Sequence, residues 1–136
     1  MVASTSAGVS GALGWADGEA TPADEMFAAI ARIARVVDVP VTADIESGYG
    51  LSPEDIVRRL LAAGAVGCNL EDTDHANNKT LRPAEKQAER LAAFKRAAHS
   101  AGVNIVLNAR TDVFLRQAPG GQPPIEEAIR RGRLYV

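Results

Sequence analysis

The stretch "VPVTADIESGYGLSPEDIVRRLLAAGAVGCNLEDTDH", residues 39–75, decides the fold. It opens with "VPVTADI" (39–45), β-branched and introduced by a proline suited to the start of a strand. Gly48 and Gly50 then turn the chain. Ser52 caps a helix, Pro53 takes its first position, Asp55 sits at the third, and Gly64 ends it. "AVGCNLE" (65–71) follows as a short, nearly continuous apolar run, as expected of a parallel strand buried on both faces. Strand, helix and strand in this order form a βαβ unit.

The same grammar extends in both directions. "VNIVLNAR" (103–110) is another buried strand, and "MVASTSAG" (1–8) a weaker one ending in a small-residue turn. "TPADEMFAAIARIARVV" (21–37) is a helix with Thr21 as N-cap, Pro22 at the first position and Met26, Phe27, Ile30, Ile33, Ala34 and Val37 as its apolar stripe. "RPAEKQAERLAAFKRAAHSAG" (82–102) is a long helix closing at Gly102, and "PPIEEAIRRGRLYV" (123–136) begins another. "RQAPGGQPP" (116–124) reads as a mobile surface loop. This β-then-α rhythm predicts an α/β fold with a parallel sheet, either a small open sheet or half of an eight-stranded barrel.

Bulk properties exclude more than they assign. A net charge of −2 gives no basic footprint, so nucleic acid is not an expected partner. No apolar run approaches the ~20 residues of a membrane span. The first residues lack the positive charge of a signal peptide, and the single cysteine, Cys68, fits a reducing cytoplasm. Cys68 lies inside an apolar strand, where inert packing is expected. His99 and the pair Arg130–Arg131 are expected on solvated helix faces.

The polar residues gather at the C-terminal ends of the strands, where both architectures place their active sites. Asp44 and Glu46, two positions apart on a strand, point to one side. Like charges in one cleft raise each other's pKa unless a cation or strong donors compensate. The next strand end adds Glu71 and Asp72, with His75 in the loop beyond, and the last adds Asn108, Arg110 and Asp112. Asp17 stands in "GWADGE" after the first. This oxygen-rich set suits a hard divalent cation, Mg2+ or Mn2+. Arg110 suits the carboxylate or phosphonate of a substrate, and Thr5, Ser6 and Ala7 offer a hydroxyl and backbone N–H groups to an anionic oxygen. Together they point to stabilisation of an enolate.

The blocks "TSAGVSGALGWADGE", "VPVTADIESGYG", "GAVGCNLEDTDH", "LRPAEKQAERLAA" and "NIVLNARTDVFL" resemble, in order, those of the isocitrate lyase / phosphoenolpyruvate mutase superfamily. The resemblance implies a TIM-type (β/α)8 barrel, a Mg2+-dependent site, and cleavage or rearrangement of C–C or P–C bonds in small 2-oxo acids or phosphonates through a pyruvate-like enolate. It makes Asp44 the main metal ligand, with Glu46 and Glu71 binding directly or through water. Asp17 falls near the metal and reacting centre. Thr5, Ser6 and Ala7 fall where the substrate carboxylate is held, and Arg110 near the reacting group. Tyr49 and its flanking glycines would shape the turn by which substrate approaches.

Two departures shape the expectation. Isocitrate lyases carry a lysine-cysteine-glycine-histidine loop after the third of these strands, whereas this loop reads "TDHANNKTLRP". Thiol-acid cleavage of isocitrate or methylisocitrate is therefore disfavoured. A full barrel takes about 250 residues and this chain has 136, so residues 1–136 are expected to form a single partial barrel domain, about half of the whole. Exposed sheet edges then favour self-association or a homo-oligomer. The alternative to an enzyme is a fragment that only binds metal or associates. A small open-sheet phosphohydrolase with an aspartate nucleophile would share the D-x-E spacing, but Lys79 and Asp72 are poor candidates for its remaining machinery.

Overall fold

The βαβ unit forms as its sequence prescribes, and the remaining elements are added to either side. The computed structural model describes residues 1–116, 119–121 and 123–136. In chain order the elements are β1 (Val2–Ala3), α1 (Ser6–Leu13), α2 (Ala23–Val36), β2 (Val41–Asp44), α3 (Pro53–Ala62), β3 (Ala65–Glu71), β4 (Thr73–Asp74), β5 (Thr80–Leu81), α4 (Ala84–Ser100), β6 (Val106–Arg110) and α5 (Pro124–Tyr135). Strands β1, β2, β3 and β6 make one sheet in that order, every pairing parallel. Strands β4 and β5 pair separately as an antiparallel hairpin.

Local chemistry sets the helix ends. The Ser52 hydroxyl accepts the Asp55 N–H at 3.1 Å, and Pro53 opens α3. Gly64, at φ +75, takes the left-handed conformation that ends it. Helix α2 departs from expectation. Its cap position falls to Pro22, in extended conformation, and the Thr21 hydroxyl instead donates to Ser10 Oγ at 2.7 Å, fixing α1 against the start of α2. The larger departure is α1 itself, where only a small-residue turn was expected. Gly8 and Gly11 give this segment poor intrinsic propensity. It is held by tertiary contact instead: its first residue, Ser6, is buried and bonded to β2. The expected loop 116–124 lies partly outside the described residues.

Alternation along the strands sorts the sheet into two faces. On one, Ala43, Ile45, Cys68 and Leu70 join Met26 and Ile30 of α2, Ile56 and Leu60 of α3, and Leu91 and Phe94 of α4 in the core. Each such fully buried Leu, Ile or Phe contributes about 1.5–3 kcal/mol, so this layer carries the fold. On the other face stand Thr42 and Asp44, then Gly67, Asn69 and Glu71, then Val106, Asn108 and Arg110. The register lines these up in rows, Thr42–Gly67–Val106, Asp44–Asn69–Asn108 and Glu71–Arg110. Gly67 is required in its row, because a Cβ there would lie 2.9 Å from the Val106 carbonyl oxygen. The open face thus becomes steadily more polar toward the strand C-termini.

Candidate active site

Asp44 is built into the rim from three directions. Its own N–H donates to Ser4 Oγ at 3.0 Å, and its Oδ2 receives the Ser6 N–H at 3.1 Å and the Ser6 hydroxyl at 3.0 Å. Its second oxygen, Oδ1, receives only the long Glu46 N–H, at 3.4 Å. Thr5 caps α1 in an extended conformation without a side-chain cap bond, and Ala7 is exposed in the first turn. The "TSA" segment is therefore the N-terminus of a helix, not the end of a strand.

Glu46 and Glu71 are 2% and 4% exposed, so neither can rely on water for its charge. Glu46 Oε1 accepts the Tyr49 hydroxyl at 2.9 Å and Oε2 accepts the Glu19 N–H at 2.6 Å. Burial raises its pKa, the two hydrogen bonds oppose that, and the nearby charge of exposed Asp17 adds to it. Glu71 stands between two basic groups: Oε1 is 2.8 Å from His75 Nε2, and Oε2 is 3.1 Å from Arg110 Nη1. Burial nevertheless pushes its pKa up to about 7. The His75 bond and the Arg110 charge pull against the rise, and the Asp112 charge adds to it. His75 Nε2 also lies 3.8 Å from Glu46 Oε2, so one imidazole spans both carboxylates.

Arg110 is shared. Its Nε donates to Asp112 Oδ1 at 2.7 Å while Nη1 faces Glu71. Burial works against its charge, yet the two carboxylates hold its pKa above the ordinary value. Asp112 is fixed in turn, accepting the Thr73 hydroxyl at 2.6 Å and donating its N–H to Asp72 Oδ1 at 2.8 Å. Asp72 is fully buried and takes three donors on Oδ2: Thr111 Oγ1, Arg131 Nη1 and Tyr135 OH, at 2.8, 2.9 and 2.8 Å. Here the expectation for Arg131 fails. It is 0% exposed and paired with Asp72 and Glu127, because two buried carboxylates require a buried cation. Cys68 is inert as expected, its thiol pushed up to about 12 by burial.

The structure therefore brings Asp44, Glu46, Glu71 and Arg110 to one rim, with Ser6 on Asp44 and Asp17 within electrostatic reach of Glu46. Sequence reasoning missed Glu19, which receives the Ser47 hydroxyl and the Tyr49 N–H, and Ser4, which receives the Asp44 N–H. It also missed that the loop after β3 folds back as a hairpin, β4–β5.

Comparison with known proteins gives the family and the fold. A family profile described as phosphoenolpyruvate phosphomutase matches residues 1–136. The chloroplastic carboxyvinyl-carboxyphosphonate phosphorylmutase of Arabidopsis thaliana is 35% identical over 124 residues, covering 85% of this chain and 35% of that protein. The 2-methylisocitrate lyase of Bacillus subtilis (strain 168) is 29% identical over 112 residues, covering 76% of this chain and 34% of its own length. This chain thus spans about a third of the curated relatives it matches. Among solved structures, a Burkholderia cenocepacia J2315 protein bearing the provisional name phosphonomutase superposes with a TM-score of 0.85 at 42% identity, covering 98% of this chain and 55% of that one. A 2,3-dimethylmalate lyase of the PEP mutase/isocitrate lyase superfamily superposes with a TM-score of 0.83 at 27% identity, covering 98% and 46%. The four parallel strands are accordingly about half of a TIM-type barrel. The chain belongs to the phosphoenolpyruvate phosphomutase family, within the PEP mutase/isocitrate lyase superfamily.

Proposed function

We propose that this chain supplies the metal-side half of a site that breaks or moves a C–C or P–C bond in a small 2-oxo acid or its phosphonate, by way of a pyruvate-like enolate. The observation that carries the proposal is that Asp44, Glu71 and Arg110 lie on the open sheet face at the strand C-termini, with Glu46 brought beside them by the turn after β2 rather than by the strand itself. The donors are all oxygen, which suits Mg2+ or Mn2+. Among the described residues no three carboxylate, imidazole or thiolate groups converge tightly enough to grip an ion by themselves. Glu46 and Glu71 already have partners on both oxygens, whereas Asp44 keeps Oδ1 with only a long bond. Asp44 is therefore the direct ligand, and Glu46 and Glu71 act through water.

When bound, the ion supplies positive charge beside the oxygen on which negative charge develops. The protein groups divide the remaining work. Ser6 holds Asp44 in one orientation. Thr5 and Ala7, at the N-terminus of α1, hold the substrate carboxylate, since both donors of Ser6 are already on Asp44. Arg110, released from Glu71 or Asp112, neutralises the far group as the bond breaks.

A second reading, in which the chain only binds metal or associates with copies of itself, draws on the exposure of Val106 on outer strand β6 and of Phe114 and Leu115 just beyond it. Thermal melts with chelator, with Mg2+, and with Mg2+ plus oxalate, an enolpyruvate mimic, separate the two. The proposed site requires a rise with Mg2+ and a further rise with oxalate, as ligands that bind only the folded state must produce. A rise with Mg2+ alone supports the second reading, and a melt indifferent to both overturns the metal site.

A further inference from the structure

We propose that Glu19 is a positioning residue for Glu46, locking the turn after β2 so that the Glu46 carboxylate is presented to the rim in one orientation. The inference rests on the metal-centred function proposed above. Three non-glycine residues here have left-handed backbones: Glu19 at φ 59, Glu46 at φ 51 and Tyr49 at φ 56. L-residues other than glycine rarely adopt this conformation, and it persists only where surrounding contacts impose it. Arg90 on the Ser47 carbonyl and the Glu71 N–H on the Glu46 carbonyl hold the backbone of this turn, and the side-chain contacts within it meet at Glu19. Its Oε1 receives the Ser47 hydroxyl at 2.7 Å and the Tyr49 N–H at 2.6 Å. Its own N–H donates to Glu46 Oε2 at 2.6 Å, and the Tyr49 hydroxyl closes the ring by donating to Glu46 Oε1 at 2.9 Å.

The ring joins two loops that are distant in sequence, the one after α1 and the one after β2. It places one donor on each oxygen of Glu46, so the carboxylate is held from both sides. Glu19 needs no contact with metal or substrate to act. Its influence passes through Tyr49 and through its own amide.

The test uses two variants at this position. Glu19→Gly accepts φ 59 without strain and keeps the N–H to Glu46, so it removes only the carboxylate arm. Glu19→Gln retains an acceptor for Ser47 and Tyr49. The readouts are the Mg2+ dissociation constant by calorimetry and hydrogen exchange at the Tyr49 amide. Loss of a ligand's own hydrogen-bond partner weakens metal binding about 10-fold or more, and Glu19→Gly removes none of the bonds to Glu46 directly. It should therefore weaken Mg2+ binding severalfold and lose Tyr49 protection, while Glu19→Gln stays near the native chain in both. A purely structural role would lower the melting temperature and leave the Mg2+ constant of the folded chain unchanged. The inference is overturned by native-like Mg2+ binding in Glu19→Gly, by Glu19→Gln failing as badly, or by undiminished Tyr49 protection in Glu19→Gly. A native chain that does not bind Mg2+ overturns the proposed function instead, and the Tyr49 amide then still decides whether Glu19 holds the turn.

Discussion

Ser6 donates twice to the same oxygen of Asp44, through its backbone N–H at 3.1 Å and its hydroxyl at 3.0 Å. The unequal treatment of the two oxygens leaves Oδ1 the less committed one, with only the long Glu46 N–H on it. Ser6→Ala removes the hydroxyl and keeps the amide, so it should cost about 1 kcal/mol of stability and weaken Mg2+ binding severalfold. Asp44→Asn should abolish the Mg2+-dependent rise in melting temperature with the fold intact. Calorimetric titration of both variants checks this, and an Asp44→Asn variant that still responds to Mg2+ would remove Asp44 from the metal site.

Much of this arrangement was legible in the sequence, because alternation on a strand is a local rule. Asp44, Glu71 and Arg110 follow from their positions at the ends of three apolar runs. Glu46, expected on the same strand as Asp44, instead lies in the turn beyond β2 with a left-handed backbone and reaches the rim through Glu19 and Tyr49. Helix α3 was legible because Ser52 and Pro53 act within one turn. What could not be read depends on partners far along the chain. Helix α1 contains two glycines and is held by Ser6 on Asp44, 38 residues away. Arg131 looks like half of a solvated basic pair until Asp72, 59 residues earlier, is found beside it. Glu19 carries no signal beyond being an acid after a glycine. Its role arises only where two loops meet.

Arg130 and Arg131 are neighbours with opposite fates, and their removal should differ accordingly. Arg131 is 0% exposed between Asp72 and Glu127, so Arg131→Ala leaves the buried Asp72 carboxylate without a cation, while Glu127 keeps Arg130. Breaking a buried pair in this way costs about 3–5 kcal/mol. Arg130 bridges Glu85 and Glu127 with its side chain 45% exposed, and Arg130→Ala should cost no more than about 1 kcal/mol. Urea denaturation of the two variants makes the comparison. Equal losses would mean that Arg131 is not the buried partner of Asp72.

Gly48 sits at φ +91 in the turn between Glu46 and Tyr49, under Arg90 and Ile56. A Cβ there would lie 2.7 Å from Arg90 Nη2 and 2.7 Å from Ile56 Cδ1. Gly48→Ala therefore combines a disfavoured backbone with overpacking, and should destabilise by about 2 kcal/mol or more. It should also displace Arg90 from the Ser47 carbonyl, disturbing the turn that carries Glu46. A denaturation midpoint unchanged from the native chain would show that the turn has room to relax.

Glu71 should make stability depend on pH in the direction opposite to an ordinary surface carboxylate. Burial raises its folded pKa from 4.5 to about 7, so the folded chain holds this proton more tightly than the unfolded chain does. The stabilisation is then fully present below about pH 4.5 and is lost as pH rises through about 7. A rise of this size represents on the order of 3 kcal/mol. Glu46, also raised by burial, adds a smaller slope of the same sign. In chelator the native melting temperature should therefore fall between pH 4.5 and 8. Glu71→Gln, which stays neutral throughout, should flatten most of that fall and melt higher than the native chain at pH 8. A Glu71→Gln profile as steep as the native one would mean that Glu71 is ionised across the range, held so by His75 and Arg110 despite its burial.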